Sequence, residues 1–224
     1  MKVGNCPYDS VEALPAVIPV FPLPAALLLP RAELPLNIFE PRYVAMIDAA
    51  LAGERVIGMI QPDENRDPGT LGPTLCKVGC AGRLTSFAET GDGRYMVTLT
   101  GIARFVVVEE LVTSTMFRQC RVSAAPFAAD FAAMTDGADV DRGSVLKTFR
   151  DYLDAHNLEA DWESVDRASN ETLINTLAMM APFGTAEKQA LLEAPDLRAR
   201  AETLMALTEM SLARHSGGTS RSLQ

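Results

Sequence analysis

The sequence predicts an α+β protein in two parts: a β-barrel domain with one packed helix over residues 1–125, then an antiparallel helical bundle over 126–214. Three observations carry that division. The chain between Glu12 and Arg31 holds no charge, yet prolines 15, 19, 22, 24 and 30 break it repeatedly. Short apolar runs then alternate with glycine-bearing turns as far as Val122. From Asp141 the apolar residues recur at helical spacing instead, so the period passes from that of strands to that of helices.

Proline fixes φ and removes a backbone donor, so the 18 uncharged residues cannot form one membrane-spanning helix. They read as extended pieces, Ile18–Phe21 and Leu27–Leu29, followed by Leu34–Leu36. Pro41 suits the first turn of a helix, where its missing N–H costs nothing. Tyr43, Val44, Met46, Ile47, Ala50 and Leu51 continue that helix, and Gly53 is its expected left-handed stop. Val56–Ile60 is a nearly continuous apolar strand, and the polar stretch ending at Pro73 is a loop. Leu75–Phe87 is a long strand whose Gly79 and Gly82 predict a bulge or sharp coil. Glu89–Arg94 carries hairpin chemistry around Asp92-Gly93. Tyr95–Thr100 and Ile102–Leu111 are strands kinked apart at Gly101, and Phe117–Val122 closes the series. Short twisted strands with glycine bends indicate a closed or half-closed barrel.

In the second part, Val145, Leu146, Phe149, Tyr152 and Leu153 form one helical stripe. Ser169–Met180 is the next helix, with Leu173, Ile174, Leu177 and Ala178 inward. Thr185 is placed to cap a short third one ending at Glu193. A fourth begins near Pro195 and Asp196 and buries Leu197, Ala201, Leu204, Leu207 or Thr208, and Leu212. The Ser- and Gly-rich residues 215–224 are expected to be a disordered tail.

Composition narrows the function. A net charge of −9 and only four lysines leave no concentrated basic face, which disfavours nucleic acid. Residues 126–224 hold nine basic and sixteen acidic side chains, as solvated helix faces do. No basic leader joins an unbroken apolar core, so a cytoplasmic location with reduced thiols is expected. Cys76 and Cys80 share a strand face but lie about 13 Å apart along it, too far for one metal ion. No Gly-Lys-Ser or Gly-Lys-Thr occurs, so the phosphate loop of an ATPase is missing. Lys77, Lys147 and Lys188 read as exposed, Lys188 because it follows Glu187 in a helical turn, whereas a catalytic lysine must be desolvated. Asp151, Asp154 and His156 read as a solvated helix end. Glu40 and Arg42 read as a mutual pair capping the helix start. Phe21, Leu23, Leu36, Ile38 and Phe39 exceed what one small barrel encloses. They either complete the core or line a groove able to take an extended chain.

Several stretches in order carry a family likeness: Phe21-Pro-Leu-Pro24, Pro35-Leu-Asn-Ile-Phe-Glu-Pro-Arg-Tyr43, Val78-Gly-Cys-Ala-Gly-Arg83, Gly93-Arg-Tyr95, Leu99-Thr-Gly-Ile-Ala-Arg-Phe105, and Pro182–Glu193 with Asp196–Arg200. Together they resemble the N-terminal, substrate-recognition domain of the Lon protease family, in its stand-alone bacterial form without ATPase and peptidase domains. The resemblance implies a PUA-like pseudobarrel and recognition of unfolded or degron-bearing polypeptides. It further implies an adaptor role in protein quality control, with a protease or chaperone as second partner. No cofactor, metal, membrane or catalytic residue is implied, and no oligomeric state. The residues placed to contact peptide are Phe21, Leu23, Leu36, Ile38, Phe39, Glu40 and Arg42. Two rival readings remain at this point: an RNA-binding PUA-like module, and a hydrolase with an unrecognised Ser–Lys dyad.

Overall fold

A computed structural model describes residues 1–69, 72–132, 139–156 and 159–219. The fold is α+β. Its elements in chain order are β1 (Lys2–Val3), β2 (Cys6–Pro7), β3 (Val17–Pro22), β4 (Glu33–Ile38), α1 (Pro41–Ala52), β5 (Val56–Pro62), β6 (Leu75–Glu89), β7 (Tyr95–Leu111) and β8 (Arg118–Ser123), then α2 (Arg142–His156), α3 (Trp162–Arg167), α4 (Asn170–Met180), α5 (Thr185–Glu193) and α6 (Leu197–Thr219). Two compact units result: Met1–Ala133 with Pro182–Leu192, and Met134–Ala181 with Glu193–Gln224. Residues 126–133 and α5 therefore group with the strands, where the sequence reading had put them with the helices.

In the strand unit the sheet runs β4-β7-β6-β5-β3-β8, and β7 also pairs with β8. Five strands thus close a circuit, and β4 stands outside it on β7. Among the described residues only β3 and β5 pair in parallel, with Val20 beside Gly58. Phe105 fills the middle of the circuit, fully buried among Ile18, Val20, Ile60, Ile102 and Cys120. It fits because two neighbours lack side chains. A Cβ on Gly79 would fall 2.5 Å from the Phe105 ring, and one on Gly58 2.9 Å from it. Gly79 therefore serves packing, while the register of β6 shifts nearby, between Ala81 and Gly82 and between Leu84 and Ser86.

Pro24 and Pro30 of the uncharged ribbon act as turn formers, while Pro19 and Pro22 lie in β3. In Leu23-Pro24-Ala25-Ala26 and in Leu29-Pro30-Arg31-Ala32, the fourth N–H donates to the first carbonyl, at 3.4 and 3.1 Å. Ala25 and Arg31 hold φ of 59° and 67°, the left-handed third position of a type II turn. Between the two turns Leu27, Leu28 and Leu29 are buried. Gly101 is the point where this ribbon crosses β7: a Cβ there would lie 2.0 Å from the Leu29 carbonyl oxygen. So the expected kink at Gly101 is a close backbone approach within one continuous strand.

Arg104 ties the unit together. Its Nε and Nη2 donate to the two Asp130 carboxylate oxygens at 2.9 and 2.8 Å, and its Nη1 donates to the Leu192 carbonyl at 3.3 Å. The guanidinium lies 4.5 Å from the centre of the Phe127 ring. Gln189 of α5 adds two bonds, accepting from Gln61 Nε2 at 3.3 Å and donating to the Val78 carbonyl at 3.1 Å. Lys188 beside it is 2% exposed. The expectation of an exposed lysine fails because Lys188, Leu191 and Leu192 share one helix face at i, i+3 and i+4, and that face is inward.

Two further expectations change here. Gly53 ends α1 at φ −118°, and the left-handed residue is Arg55 at φ 60°, whose N–H donates to Ala50 as the chain turns into β5. Thr185 does not cap α5; its hydroxyl donates to Glu64 Oε1 at 2.9 Å.

In the helical unit, α6 packs on α2 and α4. Val145, Tyr152, Leu153, Leu173, Ile174, Ala178, Ala201 and Leu204 are buried, together with Asn175 and Arg200, whose side chains bond at 3.0 Å. Helix α3, absent from the sequence reading, carries the single tryptophan, Trp162, against Phe149 and Arg150. Asp151 and Asp154 are exposed; the His156 side chain lies outside the described residues. Helix α6 continues to Thr219 rather than ending near 214, since each residue added to an existing helix gains one bond; 220–224 lie outside the described residues.

Candidate functional site

Most of the sequence-predicted contact residues lie along β4 and the start of α1. The turn ending at Ala32 delivers the chain to β7 through a bulge. Arg31 N–H donates to the Gly101 carbonyl at 2.8 Å, and Gly101 N–H donates to the Ala32 carbonyl at 2.9 Å. Two residues therefore face one, with the first left-handed, which is a G1 bulge usually built with glycine. The Arg31 side chain helps hold it by donating to the Asp130 carbonyl at 2.8 Å. From there β4 pairs with β7 one to one, Leu34 opposite Leu99, Leu36 opposite Val97 and Ile38 opposite Tyr95.

The bulge fixes which way each backbone group points. Hydrogen-bonded pairs alternate along an antiparallel ladder, so counting from Ala32 and Gly101 makes Leu34, Leu36 and Ile38 the residues bonded to β7. Glu33, Pro35 and Asn37 point their backbone groups the other way, and their side chains are exposed. Among the described residues β4 pairs with β7 alone. Pro35 has no N–H and is tolerated in a strand at such an edge position.

The expected contact residues divide into four groups. Phe21 and Ile38 are buried, 5% and 1% exposed, and support the site from within. The Phe21 ring rests on that of Tyr43 with centroids 4.2 Å apart. Leu23 and Leu36 are half-buried. Phe39 is 62% exposed. Glu40 and Arg42 are paired at 2.8 Å, and the Arg42 guanidinium lies 4.4 Å from the centre of the Tyr43 ring. A continuous stack thus runs from Glu40 through Arg42 and Tyr43 to Phe21. The Glu40 carboxylate does not cap α1; Arg42 holds it instead, and Pro41 serves the helix start. Burial holds the Tyr43 phenol above its ordinary value. Tyr95 donates to Asp48 Oδ1 at 3.0 Å, joining β7 to α1, and that bond raises the Tyr95 phenol.

Sequence reading missed Glu33, Pro35 and Asn37 as a free edge, although a proline inside an otherwise regular strand is the signal for one. It also missed Met96, opposite Asn37 and 46% exposed. Catalytic chemistry finds little support. Lys188 is desolvated, and burial brings its ammonium down to about 8, yet at 2% exposure it does not face an open cleft. Cys120 is buried too, which pushes its thiol up to about 11 and away from a reactive thiolate. Among the described residues no three His, Cys, Asp or Glu side chains gather as a metal-binding group. Among them too, no helix is long and apolar enough to cross a membrane.

Residues 17–209 match the family model of the ATP-dependent protease La (LON) substrate-binding domain. A Lon protease of Anaeromyxobacter dehalogenans is 28% identical over 88% of the chain, and Lon protease 2 of Myxococcus xanthus is 28% identical over 88%. The chain spans 23% and 24% of those two proteins. Among solved structures, a Lon N-terminal domain protein from Xanthomonas campestris aligns with TM-score 0.58 at 21% identity, over 85% of this chain and 97% of that one. The N-terminal domain of a Mycobacterium avium complex Lon protease aligns with TM-score 0.60 at 18% identity, over 86% and 98%.

Proposed function

We propose that this chain, which belongs to the Lon substrate-binding domain family, binds unfolded or degron-bearing polypeptide and performs no catalytic step itself. The family match over residues 17–209 carries the reading. The junction of β4 and α1 supports it physically, since Phe39 offers an exposed aromatic ring three residues beyond half-buried Leu36. In this reading the closed circuit of strands is a PUA-like pseudobarrel, and the helical unit is an antiparallel bundle. The protein works in the cytoplasm as an adaptor in quality control, passing clients to a protease or chaperone.

The test compares one client in two states. Titrated with a reduced, carboxymethylated protein and with its native form, the chain binds the denatured state more tightly. Equal or absent binding across several such clients overturns the proposal. Casein incubated with the pure protein, with and without ATP and magnesium, stays intact; cleavage would establish a catalytic role instead.

A further inference from the structure

We propose that the client is held as an added β-strand on the free edge of β4, and that the preferred segment alternates apolar residues with a basic residue that falls opposite Glu33. This rests on the polypeptide-binding reading above and specifies its geometry.

The edge offers the carbonyls of Glu33, Pro35 and Asn37 and the N–H groups of Glu33 and Asn37, as the bulge at Arg31 and Ala32 dictates. An extended chain can pair with these groups, and main-chain bonding of this kind is indifferent to sequence, as a receptor for many unfolded clients requires. Side chains supply the preference. Leu34 and Leu36 sit on the same face as buried Val97 and Leu99 yet are only half-buried, because no strand of the described residues lies beyond them. Alternate residues of an added strand would cover them. On the other face Glu33 is exposed and makes no ion pair among the described residues. A residue directly opposite it would stand about 5 Å away, close enough for a lysine or arginine to respond.

A second copy of the chain is the other natural occupant, and two observations disfavour it. Antiparallel pairing of two β4 strands about Pro35 sets proline against proline, so the central position makes no bond in either direction. A client residue there still donates its N–H to the Pro35 carbonyl. The net charge of −9 also repels a copy and attracts a basic segment.

The test uses fluorescein-labelled octapeptides with valine and threonine alternating and one central lysine, in three forms: unmodified, N-methylated at odd residues, and N-methylated at even residues. Strand addition predicts that one methylated set binds about ten-fold or more weakly while the other stays within about two-fold of the parent, since only one set of N–H groups faces β4. Pro35→Val restores the missing donor and tightens the parent peptide by about three- to ten-fold. Replacing the peptide lysine by glutamate weakens binding, and Glu33→Gln shrinks that difference. Equal affinity of the two methylated sets overturns strand addition while leaving polypeptide binding intact. Failure of every peptide and every denatured client removes the binding role itself. Dimerisation of Pro35→Val in sedimentation, with peptide affinity unchanged, assigns the edge to a second copy and overturns the proposal.

Discussion

In the strand unit the decisive positions are those where an atom is missing. Gly58 and Gly79 leave room for the Phe105 ring, and Gly101 lets the backbone of Leu29 touch β7. In the helical unit the decisive positions are those where a polar atom is present. Asp141 accepts from the Ser144 N–H at 3.0 Å, Asp161 from Ser164 at 3.2 Å, Ser169 from Thr172 at 3.1 Å and Asp196 from Ala199 at 2.8 Å. Each satisfies a helix-start donor that would otherwise lack a partner. Helix α1, in the strand unit, has no side-chain cap and begins on Pro41. Steric fit is all-or-none, whereas caps contribute in small, separable amounts. The two units should therefore respond to substitution on very different scales, and Trp162, the single tryptophan, reports the helical one by fluorescence.

The largest effect is expected at Gly101. A methyl group there meets a backbone oxygen at 2.0 Å, which no rotamer change relieves, so Gly101→Ala should lose more than about 4 kcal/mol or fail to fold. Urea unfolding followed by circular dichroism measures it. A loss under about 1 kcal/mol would break the contrast between the units. Next comes the buried pair in the strand unit. Arg104→Met or Asp130→Asn leaves one buried partner uncompensated and should cost about 3–5 kcal/mol. The double replacement by apolar residues should cost less than the sum of its parts.

A pH effect of about 1 kcal/mol follows from Lys188. Its folded ammonium titrates near 8 against an ordinary 10.5, so above about pH 8 the unfolded chain binds more protons and stability rises with pH. Cys120 opposes this from pH 9 upward: its thiol is raised from 9.0 to about 11, so the folded state keeps the proton longer and stability falls. From pH 8 to 9 the unfolded thiol is only beginning to lose its proton, so the lysine outweighs it, and Lys188→Met should abolish the rise there. Smaller still, Ser169→Ala should cost about 1 kcal/mol and move the Trp162 transition. Last, Ala25→Gly should stabilise the strand unit slightly, by less than about 0.5 kcal/mol, seen as a small rise in its thermal midpoint, because relief of the left-handed strain is partly offset by a freer unfolded chain.

Most strands and the principal helices could be read from the sequence because alternation and helical periodicity are local patterns. Pro41, Ser169 and the turn at Asp92-Gly93 announced themselves in the same way. What escaped depended on distant partners. Arg104 stands among Ile102, Ala103 and Phe105 as a lone charge, and only the return of Asp130 and Leu192 explains it. Lys188 looked solvated beside Glu187 until the inward face of α5 was placed. At the candidate site, Phe39, Glu40 and Arg42 were identifiable by type, but whether Phe21 and Ile38 were core or surface was not. The free edge of β4 is a property of the strand order, which periodicity does not encode.

The strand unit is assembled from two stretches separated by almost fifty residues. As the polypeptide leaves the ribosome, β8 is complete well before α5 exists, so the Arg104 guanidinium waits for the Leu192 carbonyl and Gln61 for Gln189. Until then the nascent protein exposes the seat that α5 later occupies. A chain cut just after residue 133 is held permanently at that stage, so it should be more prone to aggregation than the whole.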